Sequence, residues 1–448
     1  MRSVSGLRGI VGSDLVPALV TRYAEAFGAF VAGRGGRAVA LGRDSRQSGP
    51  AFVEAAAAGL TAAGVDVVDL GMVPTPTVQL AVERLDGGLD GGIVVTASHN
   101  PVEWNALKFV GPGGRFLAKA EAEAFFALVD GGRSPAAGRR PGARRREEGA
   151  VRLHLDRVLG LPWLDLAAVR ARRFRVALDC VRGAGATIMP ALLEALGCEV
   201  SGIQLEPDGR FPREPEPIPE HLEELSAHVR ATGSDLGIAV DPDVDRLALV
   251  DEAGRPIGED YTLAFAVRAV LARQRGPVVT NLSTSLVVDD AARELGGTVE
   301  RAPVGEANVV ERMIARDAVV GGEGNGGVIL PAVHLGRDAP VAATLVLALL
   351  AARGEPVSAV VNSAPRYTIV KAKVPRPSGT LDGAYAALAD ALPGAEPDRQ
   401  DGLRLGLADR WVHLRPSGTE PVVRIIAEAP TRADAESLVA RGRAALGG

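Results

Sequence analysis

Three carboxylates at every second position, Asp241, Asp243 and Asp245, follow the apolar run 236–240 and are closed by Arg246. That spacing puts them on one side of an extended segment. Two carboxylates about 4 Å apart repel by roughly 4 kcal/mol at an effective dielectric near about 20, so three converging on one point need a cation. Oxygen donors alone favour Mg2+, Mn2+ or Ca2+ over zinc. An EF-hand loop is a competing reading, since Glu252 falls at its twelfth position. Arg246 stands where that loop needs glycine, however, and 247–250 read as a strand rather than a helix. The remaining alternative is a polar turn with solvated carboxylates.

A second apolar strand, within 92–97, runs into Ser98, His99, Asn100 and Pro101. A hydroxyl delivered at a strand end stays aimed at one point of a cleft. Taken alone, Ser-His-Asn-Pro is also good turn chemistry, and a hydrolase pair would need His99 to face Ser98, which adjacent residues need not do. The carboxylate trio changes the balance. A phosphorylated serine carries about −1.5 to −2 charge, and a divalent ion held by three carboxylates would still bind it and activate the phosphorus.

Two further loops carry polar chemistry. In 321–327, Glu323 and Asn325 stand among five glycines between apolar residues, offering acceptors and a donor suited to hydroxyls where the backbone can approach closely. A flexible β-turn is the plainer reading. In 415–421, Arg415, Ser417 and Thr419 with exposed amides around Gly418 form an oxyanion cradle between two strands.

These loops need rigid elements behind them, and the chain repeats one grammar three times: short apolar strand, polar loop, Ala/Leu-rich helix, glycine, second strand. The first unit is 37–41, helix 50–63, strand 65–70; the second is 174–178, helix to Leu196, strand 199–203; the third is 277–281, helix to Leu295, strand 298–301. Such alternation predicts mostly parallel sheets with right-handed crossovers. From residue 367 onward strands cluster around few helices, ending in a helix from Ala433, which reads as a smaller α+β domain. The expected fold is α/β: three similar α/β domains with mixed, mostly parallel sheets plus a smaller C-terminal α+β domain. Boundaries are expected at 1–149, 150–252, 253–362 and 363–448. The Gly-, Pro- and Arg-rich stretch 131–149 reads as a solvated loop after the first domain.

The 448 residues exceed what one core supports. A hydrophobic content of 47% and a net charge of −5 describe a soluble globular protein and argue against a nucleic-acid partner. No signal-peptide pattern and no apolar run of about 20 residues is found, and the two cysteines, Cys180 and Cys198, lie in apolar segments. A cytoplasmic location, no membrane partner, and a monomer or homodimer are the expectations.

Together, the four motifs Thr96-Ala-Ser-His-Asn-Pro101, Asp241-Pro-Asp-Val-Asp-Arg246, Gly322-Glu-Gly-Asn-Gly326 and Arg415-Pro-Ser-Gly-Thr-Glu-Pro421 resemble, in order, those of the α-D-phosphohexomutase family. That family comprises phosphoglucomutases, phosphomannomutases and phosphoglucosamine mutases, four-domain enzymes with three similar domains. The resemblance implies that Ser98 is a phosphoserine and that Asp241, Asp243 and Asp245 hold Mg2+ together with the phosphoryl oxygen on Ser98. It implies that Glu323 and Asn325 read sugar hydroxyls, with Gly305 in a loop that orients the sugar. By the same match Arg415, Ser417, Gly418 and Thr419 grip the non-reacting phosphate, while Arg8, Lys108 and Arg246 surround the reacting one. The implied substrate is a hexose phosphate, with a hexose 1,6-bisphosphate as intermediate and activator. The sugar loop looks most like that of archaeal phosphoglucosamine mutases, so glucosamine 6-phosphate is the favoured substrate and glucose or mannose phosphates the alternative. Many members carry serine at Asn325 and, at Gly327, a histidine that has been a candidate proton shuttle; its absence leaves Lys108 and His99 as candidates for proton transfer. A haloacid-dehalogenase-like phosphatase with Asp241 as nucleophile, and a non-catalytic sugar-phosphate sensor, are the readings from other classes.

Overall fold

The computed structural model describes residues 2–3, 6–132, 140–417 and 421–447. Four sheets follow one another along the chain. In the first, Ala38–Arg43 lies between Asp66–Met72 and Gly91–Val95, all parallel, and Trp104–Val110 returns antiparallel to Gly91–Val95. The second sheet repeats that plan. Arg175–Asp179 lies between Glu199–Ile203 and Leu236–Val240 in parallel, and Leu247–Val250 returns antiparallel. The third does so again with Val278–Asn281 between Val299–Ala302 and Val320–Glu323, then Gly327–Ile329 antiparallel. This is the predicted arrangement of three similar α/β units, and it adds a rule that periodicity alone does not show. In every unit the turn from the third strand into its antiparallel partner carries one of the motifs: 96–103, 241–246 and 324–326.

The grammar works because each crossover helix is apolar where it meets its sheet. Gly49–Ala62 covers one face of the first sheet with Phe52, Ala56 and Leu60, all buried. Helix Ala339–Arg353 is apolar around most of its circumference, as expected of a helix that solvent reaches on almost no side. Asp338 starts it, its side chain accepting from Val341 N at 3.0 Å, with Pro340 in the first turn. Around it and Asp260–Leu271 a single hydrophobic core joins the second and third sheets, while the first sheet has separate cores on its two faces.

A His-rich joint locks these three units together. His154 Nε2 and His334 Nε2 lie 2.7 and 2.8 Å from the same oxygen, Asp338 Oδ2, and His154 Nδ1 is 2.8 Å from the Thr77 hydroxyl. All four residues are buried. Burial works against the Asp338 charge, but the two imidazoles outweigh it and hold the carboxyl well below its usual range.

The fourth sheet is wholly antiparallel, in the order Thr368–Pro375, Val422–Ala429, Trp411–Pro416, Leu403–Gly406, Glu396–Asp398, with helices Asp382–Ala391 and Arg432–Ala445 against it. One expectation needs correction. Arg144–Arg146 is exposed as expected, yet it is not loop but an edge strand parallel to Asp66–Met72, where Arg144 reaches Glu54 and Asp69 at 2.7–2.9 Å. Three arginines suit an edge strand, since charge there discourages further pairing. Both cysteines are free and buried. Among the described residues no helix is long and apolar enough to cross a membrane.

Candidate active site

Three hairpin turns from three different sheets meet, and the residues that the sequence singled out on two of them touch directly. Ser98 Oγ donates to Asp241 Oδ2 at 2.8 Å. Asp241, Asp243 and Asp245 are 0–1% exposed and offer ligand atoms within 4.8 Å of one another. Asp241 Oδ1 is committed to the backbone N–H groups of Asp245 and Arg246, which fixes the loop. Val244 at φ 66° and Ser98 at φ 51° occupy the left-handed region, strain of the kind that non-glycine residues keep at functional sites.

Cationic groups reach the trio without satisfying all its oxygens. Lys108 Nζ lies 2.7 Å from Asp243 Oδ2 and 3.6 Å from Asp245 Oδ2, Thr75 donates to Asp243 at 2.6 Å, and Arg337 donates to Asp245 at 2.6 Å. Even so, Asp243 Oδ1 and Asp245 Oδ1 are buried without any hydrogen-bond partner. Two carboxylate oxygens without hydrogen bonds beside a third carboxylate fit a hard divalent cation, the donor set being oxygen only, although Arg246 Nε stands 3.7 Å from Asp245 Oδ1. Burial, and then the charges of Asp243 and Asp245, push the Asp241 carboxyl well above its usual range. Asp243 goes the other way; burial opposes its charge, but Lys108 and the hydrogen bonds it accepts hold it ionised.

Around this centre stand the other expected residues. Arg246 Nη1 pairs with Glu216 at 2.9 Å, and Arg8 Nη1 donates to Asn100 Oδ1 at 2.6 Å. His99 does face its neighbour, with Nδ1 3.3 Å from Ser98 Oγ, because the left-handed turn at Ser98 swings the two side chains to one side. Burial, then Arg246 and Arg8, lower its pKa well below the usual imidazole value, so the ring is neutral at pH 7. Lys108 differs from His99 as a proton carrier. Burial disfavours its charge, yet Asp243 and Asp245 outweigh that and raise its pKa, leaving a fixed ammonium.

The third hairpin brings Glu323, whose Oε1 accepts from Asn281 Nδ2 at 2.9 Å and from Gly305 N at 3.0 Å. Asn325 Oδ1 accepts from Gly327 N at 3.2 Å, closing the turn. The loop is not a flexible turn. A Cβ on Gly322, at φ 152°, would lie 2.1 Å from Gly327 O, so the backbone is folded tightly on itself. At the fourth sheet, Arg415 Nε pairs with Asp401 at 2.8 Å, and the same carboxylate oxygen accepts from Val304 N at 3.2 Å. The cradle is thereby tied to the loop holding Gly305. Ser417 N pairs with Val422 O at 2.9 Å, while Gly418 and Thr419 lie outside the described residues.

Matches to known proteins run the length of the chain. The phosphoglucomutase/phosphomannomutase alpha/beta/alpha domains I, II and III match residues 2–134, 154–254 and 258–367, and the C-terminal domain of the same family matches 369–445. The chain belongs to the phosphoglucomutase/phosphomannomutase family. A probable phosphoglucosamine mutase of Methanopyrus kandleri is 39% identical over 97% of this chain and 95% of its own length. A phosphoglucomutase/phosphomannomutase of Thermococcus kodakarensis is 36% identical over 98% and 96%. The crystal structure of a family protein from Burkholderia thailandensis superposes with a TM-score of 0.87 at 30% identity, covering 100% of this chain and 98% of that one. The protein is accordingly an isomerase of the phosphohexomutase class.

Several residues of this family member's site were not legible beforehand. Arg46, fully buried, donates to the carbonyls of Ser98, Asn100, Pro101 and Trp104 at 2.6–2.9 Å and pairs with Asp44, so one guanidinium shapes the whole serine loop. Its signal was positional: 42–46 ends the central strand of the first unit, beside the serine loop. Arg337 carried none. It does explain the glycine at 327, where a Cβ would stand 2.3 Å from Arg337 Cδ.

Proposed function

We propose that the protein interconverts hexose 6-phosphates and hexose 1-phosphates through a phosphoserine at Ser98 and a bisphosphorylated sugar, with glucosamine 6-phosphate as preferred substrate. The observation carrying this reading is the 2.8 Å contact between Ser98 Oγ and the carboxylate trio with its two oxygens without hydrogen bonds. Asp241, Asp243 and Asp245 would hold Mg2+, which when bound supplies charge neutralisation at the phosphoryl oxygens.

The chain's own groups account for the rest. As the phosphoryl group passes from Ser98 to a sugar hydroxyl, the bond from phosphorus to Ser98 Oγ breaks and one to the sugar oxygen forms. Over the whole step the hydroxyl proton of the sugar ends on the freed Ser98 Oγ, and His99, 3.3 Å from that oxygen, stands on the leaving side, where it is placed to deliver the proton. Lys108, Arg8 and Arg246 surround the transferring group with positive charge. Arg415 and its loop hold the phosphate at the other end of the sugar, while Glu323, Asn325 and the Gly305 loop engage its hydroxyls. Once the bisphosphate has turned over in the cleft, its second phosphate returns to Ser98.

The preference for glucosamine rests on the form of the sugar loop and on the relatives described as probable phosphoglucosamine mutases. Specificity constants for glucosamine, glucose and mannose 1-phosphates, with bisphosphate activator supplied, test it. The highest value for the amino sugar supports the reading, and a preference for either neutral sugar overturns it.

A further inference from the structure

Arg337 lies outside all four motifs, yet it occupies the centre of the site's charge network. Its three guanidinium nitrogens each hold a different carboxylate: Nη2 to Asp245 Oδ2 at 2.6 Å, Nη1 to Glu323 Oε2 at 2.8 Å and Nε to Glu306 Oε2 at 2.9 Å. The residue is 8% exposed. Glu306 is held from its other oxygen by Gln79 Nε2 of the first unit at 3.2 Å. One planar fork thus spans the metal loop of the second unit, the sugar loop of the third and, through Glu306, a helix of the first.

We propose that Arg337 is a positioning residue that sets the metal-loop carboxylate Asp245 and the sugar-loop carboxylate Glu323 in one geometry, so that loading of the cation and binding of the sugar depend on the same fork. Resting on the mutase reading above, this adds a residue and a coupling to it. The geometry supplies the reasons. By taking Oδ2 of Asp245, Arg337 leaves Oδ1 as the oxygen without a hydrogen bond, with only Arg246 Nε at 3.7 Å near it, and so the atom open to a cation. By taking Oε2 of Glu323, whose Oε1 already has two donors, it fixes the plane of that carboxylate and limits what a sugar can add. The fork must be rigid to do both. Its backbone anchor is the next residue, Asp338, fastened by two histidines and by the first turn of the helix it caps. Its stem is walled in, since a Cβ on Gly327 would fall 2.3 Å from Arg337 Cδ and 2.9 Å from Cγ. Glycine at 327 and arginine at 337 are therefore two halves of one arrangement.

Lysine cannot reproduce it, because a single ammonium lacks the flat three-nitrogen fork. In Arg337→Lys the affinity for Mg2+ alone, read by calorimetry on the full chain, should fall about 10- to 100-fold, the usual loss when an outer partner of a metal ligand is removed. KM for the sugar phosphate should rise with it. Gly327→Ala, which leaves every charge in place, should show the same paired change by pushing the stem aside. The double variant should be less impaired than the product of the two single effects, as residues acting through one contact require. If Arg337→Lys proves misfolded by its melting curve, Gly327→Ala decides alone. Wild-type Mg2+ affinity in Gly327→Ala, or in folded Arg337→Lys, overturns the proposal. Asp243→Asn separates the two levels. Should that variant also bind Mg2+ normally, the metal site itself has been misassigned; should it lose Mg2+ while the other two keep it, only the role of Arg337 fails.

Discussion

The metal hairpin and the sugar hairpin have the same topology and are finished in opposite ways. Both turn from the third strand of their unit into an antiparallel partner, and both present carboxylates to the cleft. The metal hairpin leaves Asp243 Oδ1 and Asp245 Oδ1 buried without a hydrogen bond, the second facing Arg246 Nε at 3.7 Å. In the sugar hairpin, Glu323 already accepts from Asn281, Gly305 and Arg337. One loop keeps two carboxylate oxygens without hydrogen bonds and open to a cation; the other is satisfied in advance and keeps its shape. A carboxylate with about four acceptor positions and three fixed donors has room for about one more, which is how a nearly closed site selects a hydroxyl pattern. Open carboxylate oxygens serve a ligand that must bind through its charge, and preorganisation serves one that must be told apart from its isomers.

The largest effect that would break this contrast comes from the metal hairpin. Asp243→Asn should weaken Mg2+ binding beyond the about 100-fold that loss of a mere outer partner costs, and turnover should vanish with it. Equal Mg2+ binding in calorimetry would erase the distinction between the loops. A smaller and different loss is expected from the sugar hairpin. Glu323→Gln keeps the shape but removes charge-assisted bonds, so kcat/KM should drop by about 10- to 100-fold while Mg2+ affinity changes far less. A titration of both quantities on the same preparation checks it.

The smallest effect concerns pH. Asp260 lies under the sugar hairpin, its Oδ1 2.2 Å from where a Cβ on Gly324 would stand and accepting from Ser285 N at 2.9 Å. Burial, then the neighbouring Glu259, push its pKa up from 3.8 to about 8. A carboxyl raised in the folded state contributes stability below its ordinary pKa and loses that contribution as pH rises through the folded value. The melting temperature of Asp260→Asn relative to the wild type should therefore rise as pH goes from 3.8 through about 8. Parallel curves would show that the carboxyl is not strained there.

Why some of this was legible in sequence and some was not has a physical answer. Apolar runs broken by glycine specify strands and crossovers locally, so the three α/β units could be read from 37–70, 174–203 and 277–301. The motif loops were legible because residues close in sequence, such as 241–245, also act together in space. Arg46 and Arg337 were not, since each works through carbonyls or carboxylates that the fold brings from 52 to 58 and from 14 to 92 residues away. The strand Arg144–Arg146 was hidden for the same reason: Arg144 is paired with Glu54 and Asp69, so an exposed run is an ordered edge.

The central claim is that Ser98, set against the carboxylate trio, carries the phosphoryl group. Incubating the protein with Mg2+ and a hexose 1,6-bisphosphate, then mapping phosphate by peptide mass spectrometry after mild base, tests it most directly. The account predicts one base-stable phosphoryl group on Ser98 that a hexose monophosphate removes. A base-labile group on Asp241, or no phosphate on Ser98 in a preparation that turns over, would contradict it.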